Sequence, residues 1–100
     1  MIQHIVMFKL RKLGSEDKKQ AILQQLKAKL EALPDTIDFI RSLRVGINVR
    51  NLPTAYDLVL TATFDSLDDV ERYTVHPDHV DFIFFNQDKS IAKASVDFEI

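Results

Sequence analysis

Every second position of the opening stretch is large and apolar but for one histidine: Ile2, His4, Val6, Phe8 and Leu10 share one face. Ile5 and Met7 make the other face partly apolar too, which predicts a strand that is central or lies at an interface. After the loop Arg11-Lys12-Leu13-Gly14, Ser15 is placed to cap a helix whose first turn carries Glu16 and Asp17, where the helix dipole favours anions. Ile22, Leu26, Leu30 and Leu33 recur at helical spacing, and Pro34-Asp35 stops the helix. From Ile37 to Val49 the odd positions read as a long period-two pattern interrupted only by Arg41. The loop Arg50–Thr54 follows, and then Tyr56, Leu58, Leu60, Ala62 and Phe64 alternate with mostly polar residues, so the two runs predict an antiparallel hairpin. Ser66 with Asp69 marks a second helix start, over Leu67 to Thr74. Pro77 suits the first position of a further helix, with His76 held out of the helical region before it. Val80, Ile83 and Phe84 predict one stripe of that helix, with Phe82 and Phe85 beside it. Ala94, Val96, Phe98 and Ile100 alternate with Ser95, Asp97 and Glu99 in a last strand.

The order is β-α-β-β-α-β, with the second helical region broken at His76-Pro77. It predicts an α+β, ferredoxin-like plan: a four-stranded antiparallel sheet with its helices on one face. One helix layer covers one side only, yet Ile5, Met7 and Val59 leave apolar groups on the other. A second copy of the chain is expected to cover that side, giving a homodimer.

Composition narrows the chemistry. One hundred residues, 46% hydrophobic and 28% charged, suit one domain spanning 1–100 and argue against disorder. Thirteen basic against fifteen acidic residues, a net charge of −2, give no reason to expect nucleic acid or an anionic membrane as partner. No cysteine means no thiolate nucleophile and no Cys-based metal site. Two glycines are too few for a phosphate-cradling loop. The N-terminus has no basic run and no long apolar core, so a cytoplasmic location is expected.

What remains reactive is a set of histidines, tyrosines and carboxylates. Tyr73-Thr74-Val75-His76-Pro77-Asp78-His79 joins a phenol, two imidazoles and a helix start within seven residues. An imidazole exchanges protons near neutral pH, and a phenol donates a hydrogen bond to a developing oxyanion. The break at His76-Pro77 lets Tyr73 and His79 turn toward one point, and His4, on an otherwise apolar face, needs a partner there. The competing reading is purely structural: His76 capping a helix, Tyr73 packing its ring, His79 bonding a carbonyl. A metal is not expected, because His76 lies outside the helix and cannot pair with His79 as a one-face ligand set. Arg41 is either an ion-pair partner at an interface or a pocket residue.

The opening His4-Ile5-Val6-Met7-Phe8-Lys9, the stretches Ser42-Leu43-Arg44-Val45-Gly46 and Tyr56-Asp57-Leu58-Val59-Leu60, and above all Tyr73 through His79 resemble the stress-responsive A/B barrel domain, or Dabb family. Ser95-Val96-Asp97-Phe98 fits its last strand. The resemblance implies a dimeric α+β barrel in which two sheets close on each other. A plant branch of the family cyclises polyketide chains by aldol chemistry without a cofactor. Carried over, its acid/base pair falls on Tyr73 and His79, and its strand-one histidine on His4. On this basis His79 is expected as base and Tyr73 as donor, and His4 with Phe8, Phe82, Ile83 and Phe85 as the binding surface for a small apolar or aromatic carbonyl compound. Neither cofactor nor metal is expected. The alternatives are a non-catalytic dimeric stress protein and a cofactor-free monooxygenase of the wider dimeric barrel group.

Overall fold

The computed structural model describes residues 1–100. Strand β1 (Ile2–Leu10) leads through a loop to helix α1 (Glu16–Glu31) and a 3-10 turn (Leu33–Asp35). Strands β2 (Ser42–Ile47) and β3 (Leu58–Phe64), helices α2 (Leu67–Val75) and α3 (Pro77–Asn86), and strand β4 (Ser90–Glu99) complete the chain. The four strands form one sheet in the order β2-β3-β1-β4, with antiparallel pairing throughout.

Local chemistry sets the boundaries. Gly14, at φ +99°, adopts the left-handed turn that aims the chain into α1, a conformation other residues enter only at a cost. Ser15 then accepts a hydrogen bond from the Lys18 amide at 3.2 Å, and Ser66 caps α2 in the same way through the Asp69 amide. His76 ends α2 with an extended backbone (ψ 137°) and caps α3, its Nδ1 accepting from the Asp78 amide at 3.1 Å. Pro77 follows at the first helical position, where its missing N–H costs nothing.

One face of the sheet meets the helices. Ile2, Val6, Phe8 and Leu10 of β1 pack with Leu58, Leu60, Ala62 and Phe64 of β3, under Leu23, Leu26 and Leu30 of α1, Tyr73 of α2 and Phe82 of α3. The other face is also apolar along much of β1 and β4, with Val59 of β3 beside them. Opposed pairs put Ile5 beside Val96, Met7 beside Ala94 and Val59, and Phe98 beside Gln3. Met7, Val96 and Phe98 are exposed there in the single chain.

The structure corrects three expectations. The run from Ile37 to Val49 is not one long strand: the amides of Ile37 and Ile40 bond the carbonyls of Leu33 and Ile37 in tight turns, and pairing begins only near Ser42. The α3 stripe is rotated from the expected Val80, Ile83 and Phe84. Residues 79, 82, 83 and 86 face the sheet, while Phe84 is 67% exposed. On α1 the buried stripe is Leu23, Leu26 and Leu30, and Ile22 lies at its margin.

Candidate functional site

Between the sheet and the pair α2–α3 lies a cavity of about 660 Å³. Its apolar wall includes Val6, Phe8, Leu60, Val70, Phe82 and Ile83. His4, Tyr73 and His79, drawn from β1, α2 and α3, all border it. The extended residue His76 breaks the helical path between Tyr73 and His79, and their ring centroids come within 4.3 Å. The ring of His4 stands edge-on to Tyr73 at 5.9 Å, and Phe64 backs both. Residues 75 positions apart in sequence therefore share one site.

Hydrogen bonding fixes the working atoms. Nδ1 of His79 donates to the Thr74 carbonyl at 3.0 Å, which leaves Nε2 with its lone pair. Nδ1 of His4 donates to Oδ1 of Asp97 at 2.5 Å, so its Nε2 is likewise the outward atom. The Tyr73 hydroxyl has no protein partner. Since no buried side-chain polar atom lacks a partner, that hydroxyl and both Nε2 atoms open onto the cavity. Burial pushes the Tyr73 phenol well above its usual value, so it stays a proton donor. Burial lowers the proton affinity of His79, only partly offset by the Thr74 carbonyl; Lys93, His4 and His76 lower it further. His79 is therefore held neutral and ready to accept a proton.

Other residues fall outside the site. Phe85 does not line the cavity: its ring lies under the ammonium groups of Lys29 (4.4 Å) and Lys89 (3.9 Å), because position 85 is one step round α3 from the inward stripe. His76 is spent on its cap. Arg41 forms an exposed two-point ion pair with Asp65, Nε to Oδ1 at 3.0 Å and Nη2 to Oδ2 at 2.6 Å, remote from the cavity lining. Phe8, Phe82 and Ile83 line the cavity. Asp97, Ser95 and Lys93 were missed. They lie on the face of β4 that meets the helices, opposite His4, Val6 and Phe8. Their signal was the alternation of β4 itself, read with its polar rather than apolar row turned inward. No three histidine or carboxylate side chains gather in a metal-holding group, and no helix is long and apolar enough to cross a membrane.

A four-stranded antiparallel sheet carrying its helices on one face, with a polar triad between the layers, defines a ferredoxin-like α+β domain. The model of the stress-responsive A/B barrel domain (Dabb) matches residues 2–100, and the chain belongs to that family. An uncharacterized protein of Streptomyces coelicolor is 33% identical over 79 residues, 79% of each chain. A crystal structure described as a dimeric protein of unknown function with a ferredoxin-like fold, from Bacteroides fragilis, superposes with a TM-score of 0.89. It shares 36% identity and covers 99% of this chain and 95% of its own. Hydroxynitrile lyase from Passiflora edulis has the same fold, with a TM-score of 0.80 over 99% of this chain and 92% of that one, at 14% identity.

Proposed function

We propose that the chain binds a small apolar or aromatic carbonyl compound in this cavity and performs acid/base chemistry on it. One observation carries the reading: three unpaired polar groups of complementary character face the same largely apolar space. His79 Nε2 is the base. It takes a proton from the carbon next to the carbonyl, the C–H pair becomes the new C=C bond, and the carbonyl pair moves to oxygen. The Tyr73 hydroxyl donates to that enolate oxygen, and His4, held by Asp97, orients the compound. Attack of the enolate carbon on a second carbonyl forms the C–C bond of an aldol step, and the resulting alkoxide takes the proton back from His79. Every proton moved belongs to the chain or the substrate, so the step calls on no cofactor. That hydroxynitrile lyase shares the fold supports the capacity of this architecture for such chemistry but not a particular reaction.

The working form in this reading is a homodimer closed through the sheet face opposite the helices. Ile5, Met7, Val59, Val96 and Phe98 support it, together with the dimer described for the Bacteroides fragilis protein. The experiment is a panel of aryl and alkyl ketones and diketones screened for thermal stabilisation of wild type beside His79→Ala. Compounds that stabilise wild type more than the variant, some consumed with aldol products, are expected. Stabilisation by none favours the non-catalytic stress protein, and oxygen uptake with a stabilising compound favours the monooxygenase.

A further inference from the structure

One lysine, exposed in the single chain, borders the cavity and has no role in the acid/base reading. Lys93 sits on β4 opposite Phe8, in the same inward row as Ser95 and Asp97. It lies four positions along the strand from Asp97, roughly 13 Å. Every ion pair in the protein is accounted for by other residues, and Lys93 makes none. The other charged groups bordering the cavity are Glu71, from α2, and Asp97. Asp97 bonds His4 four positions along the strand, and neither it nor Glu71 makes an ion pair with Lys93.

An apolar cavity with few polar groups uses those groups to fix the orientation of what it holds. Among the ionisable side chains that border this one, His4, Tyr73 and His79 come together at one place, and the unpaired ammonium belongs to a residue further along the edge strand β4. Resting on the carbonyl reading above, we propose that Lys93 is the anchor for a carboxylate on the ligand, so that the substrate class is an apolar keto acid with its carbonyl at the His79–Tyr73 end. Phe8, Phe82 and Ile83, which line the same cavity, would pack the apolar body. Lys93 also lowers the proton affinity of His79, after burial and against the opposing Thr74 carbonyl, so the two groups lie within electrostatic reach of each other. A carboxylate seated at Lys93 offsets that charge and leaves His79 a stronger base when substrate is bound.

A lysine on an edge strand also discourages unwanted strand pairing. That role gives no preference between an acid and its amide, which is what the experiment reads. Calorimetric titration with 5-oxo-5-phenylpentanoate, its primary amide and 1-phenylpentan-1-one is carried out on wild type, Lys93→Met and Lys93→Arg at low ionic strength. Wild type is expected to bind the acid about fivefold more tightly than the amide, the scale of a single partly solvated ion pair. Lys93→Met should bind both alike with its affinity for the amide unchanged, and Lys93→Arg should restore the preference. Equal affinity for acid and amide in wild type, or a preference that survives Lys93→Met, overturns the anchor and leaves the carbonyl reading standing. Failure of all three compounds to bind defeats the carbonyl reading and the anchor with it.

Discussion

Replacing Tyr73 by phenylalanine separates what the side chain does for the fold from what it does for a ligand. The ring is 2% exposed and packs against Phe64 at 5.2 Å, His4 at 5.9 Å and His79 at 4.3 Å, and all three contacts survive the change. Only the hydroxyl is lost, and it has no partner in the protein. Had it been bonded internally, its removal would strand a buried group at about 1–3 kcal/mol. For a domain of this size that is a fall in Tm of at least ~4 °C. The structure predicts a change within about 2 °C, of either sign, because a desolvated hydroxyl gives way to an apolar edge. Ketone affinity should nonetheless fall roughly threefold to tenfold, the worth of one hydrogen bond. Tyr73→Ala, by contrast, empties the ring site and should cost about 3–5 kcal/mol. Thermal and urea melts of the two variants, with and without a stabilising ketone, give all three quantities. A phenylalanine variant that melts well below wild type, or that binds the ketone unchanged, refutes the claim that this hydroxyl is free and faces the ligand.

Other outcomes follow from the same geometry. His79 has a folded pKa below its ordinary 6.5, so the unfolded chain binds the extra proton first; its contribution to stability is full above that value and is lost as pH falls through the folded pKa. Urea melts from pH 8 to 5 should show this loss, and His79→Gln should flatten that part of the profile. Catalysis or ketone binding that needs neutral His79 should rise with pH to a plateau already reached at neutrality, as a pH–rate profile would show. His76→Ala removes the α3 cap and should cost about 1 kcal/mol in a melt while leaving ketone affinity intact, since His76 is outside the cavity lining. Met7→Asp puts a charge in the apolar row facing away from the helices; light scattering should shift from twice the 11.5 kDa chain mass toward the chain mass itself.

The fold was legible where one physical cause decided the outcome. Ser15, Ser66 and Pro77 mark helix starts because capping and a missing N–H are local chemistry, and the structure uses each as the sequence predicts. The His4 face of β1 and the convergence of Tyr73 with His79 were legible for a related reason: a polar group on an apolar face and a helix break are both exceptions to a pattern. Where pattern alone had to choose, it misled. Ile37 and Ile40 are buried like strand residues but by turns, and period two cannot tell these apart until the hydrogen bonds are known. Five aromatic or branched residues between Val80 and Phe85 leave the phase of α3 undecided, and only packing against Phe8, 5.9 Å from Phe82, selects it. Strand β4 is the plainest case. Its apolar row faces away from the helices because both sheet faces are apolar, so the usual apolar-in rule hides Asp97 and Lys93 from a sequence reading.

Everything proposed for the cavity turns on His79 presenting an unprotonated Nε2 to a ligand there. A long-range proton–nitrogen correlation spectrum of the histidine rings reads it directly, taken at pH 7 during titration with 1-phenylpentan-1-one. Expected is His79 as the Nδ1–H tautomer in the free protein, set by the Thr74 carbonyl, with its Nε2 signal moving saturably as ketone is added and His76 unmoved. A His79 ring protonated on Nε2, or one whose signals stay fixed while the ketone binds, would contradict it.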